Sequence, residues 1–259
     1  MLKHESIETN AALLIVLTLA AISIGGLVEI VPLHYIEGTV EDVKKLNAEC
    51  IKADNCKDAV RPYTALEQLG RDIYTREGCY TCHSQMIRPF RDEMLRYGHY
   101  SLAAESQYDH PFQWGSMRRG PDLARVGGKY SSAWHVKHMV KPTAVVPESI
   151  MPNYPWLQET ALDIIDIQAK MSTLKMVGVP YSHTKIEFDA NVEKFGEDVA
   201  KKLDINMAEK NLEAQAKLGN FDGNPDLLSE MDALVAYLQI LGTMIDFSKH
   251  DEAEFVKFR

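Results

Sequence analysis

The sequence predicts a mainly α-helical protein, in which one N-terminal membrane-spanning helix precedes an all-α domain. Three observations lead to this prediction. Residues 11–28 form an 18-residue run without a charged side chain. Apolar residues then recur at helical spacing within residues 65–78, and the same spacing returns within residues 230–241. The 259 residues are enough for one or two domains with a substantial core.

The first apolar run is long enough to cross a bilayer. As a helix, Ala11–Val28 would measure about 27 Å, close to the hydrocarbon thickness of about 30 Å. A cleaved signal peptide is the alternative, but residues 1–10 are not basic and no small-x-small site ends the run. We therefore expect a membrane anchor over residues 1–36. A linker over residues 37–61, with a short helix around Val40–Ala48, then leads to a domain over residues 62–259.

The most specific motif is Cys79-Tyr80-Thr81-Cys82-His83. Two cysteines at this spacing, followed directly by histidine, are typical of covalent haem c attachment. The two thiols bind the porphyrin vinyl groups, and His83 becomes an axial ligand of the iron. Zinc sites and dithiol redox sites share the Cys-x-x-Cys pair, but the added histidine favours haem.

The net charge and the two remaining cysteines bear on the type of partner and on possible disulfide formation. The net charge of −9 argues against a nucleic-acid partner. Haem c is attached outside the cytoplasm, where thiols also oxidise. A disulfide between Cys50 and Cys56 and a pair of free thiols therefore remain equal alternatives.

Two helices are expected to bracket the haem motif as in class I cytochromes c. Leu66, Leu69, Gly70 and Ile73 share one face of a helix over residues 65–78, which Gly78 ends. Gly70 on that face permits close crossing with a second helix over residues 230–241.

The pocket candidates lie between these helices. Gly120-Pro121-Asp122-Leu123 is a turn in which the Pro121 carbonyl can accept the Nδ1–H of His83, which fixes the imidazole tautomer. For the sixth iron ligand we favour Met151, in a proline-stiffened loop 68 residues after His83, because thioether sulfur suits electron transfer at high potential. The alternatives are Met117, Met139, His99, His110, His135 and His138, whereas Met86 and Met94 lie too close to the attachment site.

Arginines concentrate between residues 88 and 125 of this acidic chain. Because arginine pairs with carboxylates in a two-pronged manner, Arg88 and Arg91, nearest the attachment site, are our candidates for the haem propionates. Residues 157–177 are predicted to form one helix. Residues 182–224 are predicted to be a polar helical insertion on the domain surface, with one amphipathic helix carrying Val192, Phe195, Val199 and Leu203.

Taken together, these motifs resemble the monohaem cytochrome c subunit (O subunit, CcoO/FixO family) of cbb3-type cytochrome c oxidases. The resemblance covers residues 1–180 and the last helix. The runs that carry it are Ser23–Leu27, Ile30–Leu33, Pro62–Leu66, Cys82–Arg91, Arg96–Ser101, Tyr108–Phe112, Gly120–Gly128, Val146–Pro152 and Ala236–Gln239.

The resemblance implies an electron relay and not a catalytic centre. Such a subunit passes electrons to a catalytic subunit that holds haem b and a haem–copper centre, beside a dihaem cytochrome c subunit, in a complex that reduces oxygen and pumps protons. It implies one haem c on Cys79, Cys82, His83 and Met151. It also implies a bacterial inner-membrane location with the N-terminus cytoplasmic and the haem domain periplasmic, and a calcium ion near Ser116 at the subunit interface.

Two other haem functions remain as alternatives. The haem c subunit of a nitric oxide reductase also has one anchor and one haem, although the runs above argue against it. A membrane-tethered haem sensor would need an open or labile coordination position, which two axial ligands would not leave.

Overall fold

The computed structural model describes residues 4–33, 40–44, 46–47, 57–115 and 117–249. Within these residues the protein is mainly helical, and its only β-structure is two isolated bridges. The predicted fold class is therefore confirmed. The helices are α1 His4–Glu8, α2 Ala11–Leu33, α3 Ala65–Arg76, α4 Arg91–Tyr97, α5 Ser132–Val140, α6 Trp156–Glu159, α7 Ile167–Met176, α8 Lys185–Phe195, α9 Glu197–Lys202, α10 Ala208–Gly219 and α11 Glu230–Ile240.

Helix α2 has the length and composition of a membrane span. It contains 23 residues with a mean hydropathy of 2.5, and none of its most apolar window is buried within the protein. Such a surface is stable in hydrocarbon and unfavourable in water. Helix α2 is the candidate membrane anchor of the chain.

The domain is organised around the crossing of α3 and α11. Helix α3 is capped by Thr64, whose backbone N–H donates to the Glu67 carboxylate at 2.8 Å. Helix α11 is capped by Ser229, whose hydroxyl accepts from the Asp232 N–H at 3.1 Å. A Cβ atom added to Gly70 would lie 1.9 Å from the Ala233 carbonyl oxygen. As predicted, glycine at this position is what allows the two helices to touch through their backbones.

The segment 182–224 is part of the core, and our prediction of a surface excursion is wrong. Leu203, Ile205 and Leu212 are at most 2 % exposed and belong to the same apolar cluster as α3 and α11. The single amphipathic helix predicted here is two helices, α8 and α9, which meet at Gly196 with φ of 91°. The left-handed backbone of Gly196 turns the chain back onto the domain.

The helix predicted over residues 157–177 is also interrupted. Helices α6 and α7 are separated by an extended stretch in which the Leu162 N–H donates to the Leu228 carbonyl at 2.8 Å. The Glu230 N–H likewise donates to the Thr160 carbonyl at 3.0 Å. These partners, distant in sequence, replace the hydrogen bonds that a continuous helix would have made.

The described part of the linker packs against the domain. Its residues 40–44, 46 and 47 form turns instead of the predicted short helix. The Val43 carbonyl accepts from the Ala59 N–H at 3.1 Å, and the Glu41 carboxylate accepts from the Ala104 N–H at 2.9 Å. Leu46 is buried with Leu102 in a second, smaller apolar cluster. Backbone and side-chain partners outside the segment therefore hold it in place.

Candidate functional site: a haem cavity

The Cys79–His83 motif forms a single tight turn at the end of α3. Gly78, at φ of 72°, ends the helix, and Cys79–Thr81 continue as one 3-10 turn. The backbone N–H groups of Cys82 and His83 both donate to the Cys79 carbonyl, at 3.1 and 3.0 Å. The turn therefore holds the two thiols and the imidazole within a short stretch of ordered chain.

The turn around Pro121 is held directly against this motif. The Gly120 N–H donates to the Cys82 carbonyl at 3.0 Å, and the Pro121 carbonyl oxygen lies 2.8 Å from Nδ1 of His83. This contact requires His83 to carry its proton on Nδ1, which leaves the Nε2 lone pair available for a metal. A Cβ atom on Gly120 would lie 2.2 Å from Cε1 of His83, so only glycine fits beside the ring.

An apolar cavity of 260 Å³ opens beside His83. A cleft of 580 Å³ adjoins it and reaches Cys82. Six residues line both spaces, so that together they form one site around the motif: Cys79, His83, Pro121, His138, Val146 and Met151. Helix α11 contributes Leu234 and Leu238 to the cavity wall. A mostly apolar pocket with a few polar groups is the usual form of a cofactor site.

Among the candidates for the sixth ligand, four reach the cavity. Met139, Met151, His135 and His138 line it, whereas the other candidates are absent from its described lining. Met151 stands on the loop after the 3-10 turn Pro142–Ala144, where its N–H donates to the Ser149 hydroxyl at 3.2 Å. Burial lowers the pKa of His135 to about 4, so its imidazole is neutral at pH 7.

Unpartnered polar atoms on the cavity wall test whether a haem fits. Tyr74 Oη, Arg125 Nε, His135 Nε2 and His138 Nδ1 are buried and have no hydrogen-bond partner within the described part of the chain. All four residues line the cavity. Buried polar groups normally have partners, so the cavity suits a large apolar ligand that also carries polar groups. A porphyrin with two propionates has this character, and Cys79, Cys82, His83 and Met151 are the groups that would hold it.

A zinc site finds less support. Among the described residues, His, Cys, Asp and Glu side chains nowhere form a set of three or more that could hold a metal ion. Structural zinc needs four such ligands. Burial raises the pKa of the Cys79 thiol to about 12, the opposite of what a reactive dithiol requires.

The structure places Arg88 and Arg91 away from the cavity. Arg88 pairs with the buried Glu93 carboxylate, to which its Nε donates at 2.5 Å, and Arg91 is exposed at the start of α4. Within the described residues, the cationic side chains that line the 260 Å³ cavity besides its histidines are Arg125 and Lys129. Neither Arg88, which precedes α4, nor Arg91, at its start, is among the described residues that line the cavity or the adjoining cleft, so their pairing with the propionates stays a prediction. The position of Arg125 directly after Gly120-Pro121-Asp122-Leu123 was the sequence signal that could have placed it on the cavity wall.

Three predicted residues cannot be placed. Ser116, Cys50 and Cys56 lie outside the described residues. The calcium site and the disulfide therefore stay predictions.

Comparison with known proteins accounts for this arrangement. The family described as cytochrome c oxidase, mono-haem subunit/FixO, matches residues 4–245, which is nearly the whole chain. A search of curated proteins gave no match. A covalent haem c motif, a cavity beside it, an N-terminal apolar helix and this match agree, and the chain belongs to the FixO family of monohaem cytochrome c subunits of cytochrome c oxidase.

Proposed function

We propose that this subunit relays single electrons to the haem b and haem–copper catalytic subunit of a cbb3-type terminal oxidase. In that complex oxygen is reduced to water and protons are pumped, and a dihaem cytochrome c subunit is a further partner. The observation that carries the proposal is the meeting of Cys79, His83 and Met151 on one apolar cavity. The subunit itself makes or breaks no substrate bond.

Each side chain of the site has a distinct task. Cys79 and Cys82 would form the two thioether links to the haem, and His83 and Met151 would ligate its iron. The Pro121 carbonyl, 2.8 Å from Nδ1 of His83, orients the ring and raises its basicity. Leu234 and Leu238 exclude water from the cavity wall. When bound, haem c supplies the one-electron Fe(III)/Fe(II) couple.

The membrane arrangement follows from the same proposal. Helix α2 anchors the chain in the bacterial inner membrane, with residues 1–10 on the cytoplasmic side and the haem domain in the periplasm. Support comes from the 23-residue apolar helix and from the site of haem c attachment, which lies outside the cytoplasm. The calcium ion near Ser116 rests on the family resemblance alone.

The axial assignment can be tested by Met151→Ala in the full-length protein. We expect the near-infrared thioether-to-iron band of the oxidised haem to disappear, because alanine offers no ligand. Met139→Ala is the matched control, since Met139 lines the same cavity from α5. Persistence of the band in Met151→Ala would show that another methionine is the ligand, and loss of the band only in Met139→Ala would assign that ligand to Met139.

The reaction can be tested on the purified complex. We expect it to reduce oxygen with electrons that pass through this haem, and the reduced haem c of the wild type to resist carbon monoxide because both axial positions are filled. A complex that reduces nitric oxide but does not reduce oxygen would be a nitric oxide reductase. Ready binding of carbon monoxide would favour a haem sensor.

A further inference from the structure

Arg125 lies between two cavities, and its neighbours hold its side chain in place. Its side chain is 13 % exposed and lines both the 260 Å³ haem cavity and a small cavity of 40 Å³. A Cβ atom added to Gly242 would lie 2.2 Å from the Ala124 carbonyl oxygen and 2.9 Å from Cδ of Arg125, so Gly242 lets the two chain segments approach closely at Arg125. The guanidinium carbon lies 4.6 Å from the centre of the Phe247 ring. The side chain is therefore held on several sides.

The terminal nitrogens of Arg125 make four hydrogen bonds within the protein. Nη1 and Nη2 donate to the two oxygens of Glu105 at 2.7 and 2.8 Å. They also donate to the carbonyls of Ala124 and Tyr100, at 3.1 and 3.2 Å. Arginine has five N–H donors, and these contacts use the four terminal ones.

The fifth donor is left over. Arg125 Nε is buried and has no partner within the described residues, in a residue that lines the haem cavity. Leaving such a donor unpaired is unfavourable, and its natural partner is an anionic oxygen. We propose that Nε of Arg125 donates to a haem propionate and that Glu105 is the positioning residue that fixes the guanidinium for this contact. The proposal rests on the proposed function, since the propionate belongs to the haem held by His83.

Arg88 provides a matched comparison. It also makes a two-pronged pair with a buried carboxylate, that of Glu93, but it lies outside the described lining of the cavity. A role limited to cross-linking the fold would therefore affect both arginines in the same way. A propionate contact would affect Arg125 alone.

The expected effect has a definite sign. Arg125→Gln removes a positive charge beside the haem and leaves the Glu105 carboxylate uncompensated. Oxidised haem carries one more positive charge than reduced haem and is stabilised by this change, so the midpoint potential falls. At a separation of about 10 Å and an effective dielectric constant of about 20, the reduction equilibrium should shift about tenfold, or about 59 mV. The propionate pKa should also rise, so that the potential becomes more dependent on pH.

The experiment compares full-length wild type, Arg125→Gln and Arg88→Gln in the purified complex. Covalent haem per chain, midpoint potential between pH 5 and 8, and the resonance Raman propionate bending modes are measured. We expect lowered potential and altered propionate modes in Arg125→Gln only. Equal potentials and modes in Arg125→Gln and Arg88→Gln would overturn the proposal. Absence of covalent haem from the wild type would instead overturn the proposed function.

Arg125→Lys covers the case in which the glutamine variant does not accumulate. Lysine keeps the positive charge but lacks the Nε donor and the planar two-pronged contact with Glu105. We expect a potential near that of the wild type with changed propionate modes. Unchanged propionate modes in Arg125→Lys would show that Nε makes no propionate contact.

Discussion

Gly70→Ala should separate the two helices on which the domain is built. The new Cβ would lie 1.9 Å from the Ala233 carbonyl oxygen and 2.8 Å from Cβ of Tyr237, whereas ordinary contacts begin at 3.4 Å. The obstacle is backbone, so α3 and α11 must move apart. Overpacking of this kind costs about 3 kcal/mol, and the better helix propensity of alanine offsets about 1 kcal/mol. We expect a net loss of at least about 2 kcal/mol in the free energy of unfolding.

The assay is urea unfolding of the full-length haem protein in detergent, followed by the helical circular dichroism signal. Thr75→Ala is the matched control, because Thr75 lies exposed on the same helix and its truncation should change stability by less than about 0.5 kcal/mol. A Gly70→Ala protein as stable as Thr75→Ala would refute the view that backbone contact at Gly70 sets the crossing.

Two further predictions concern the site and a buried acid. Gly120→Ala should displace the His83 ring from its contact with Pro121, because the new Cβ would lie 2.2 Å from Cε1 of His83. A Gly120→Ala protein with the same low-spin haem spectrum as the wild type would contradict this. Burial raises the pKa of Asp109 to about 6, above about 3.9 in the unfolded chain, so the stability it contributes is full below pH 4 and is lost as pH rises through 6. Between pH 4 and 7 the wild type should lose on the order of 3 kcal/mol of unfolding free energy through this group, and Asp109→Asn, which cannot ionise, should not. The unfolding free energy of the variant should therefore rise relative to that of the wild type over this pH range. A constant difference would show that Asp109 titrates normally.

The sequence predicted best where function restricts residue type and spacing together. Gly70 could be placed at a helix crossing because a glycine on the apolar face of a helix is unfavourable unless another backbone approaches it closely. The Pro121 carbonyl could be paired with His83 because both belong to short motifs, and the structure sets the two atoms 2.8 Å apart. These inferences needed only local patterns and the known geometry of an imidazole with one free nitrogen.

Other parts depend on contacts that local patterns do not contain. Helix propensity favoured one helix through Thr160, but hydrogen bonds to the chain around Leu228 compete successfully for its backbone. The polar residues of α8–α10 obscured an apolar face that includes Leu203 and Leu212, both fully buried. Arg125 lines the haem cavity and Arg88 is absent from its described lining, because closeness in sequence to the attachment site did not correspond to closeness in space.

The packed linker limits how far the domain can travel from the membrane. The chain is held to the domain from Glu41 onward, and the membrane helix ends at Leu33. Eight residues can span at most about 28 Å. If α2 docks on a membrane-embedded oxidase subunit, as the proposed function implies, this short reach would present the haem domain to that subunit at an effective concentration in the millimolar range. Contact between the haem domain and that subunit would then resemble a step within one molecule, so that even a weak interface between them would remain occupied.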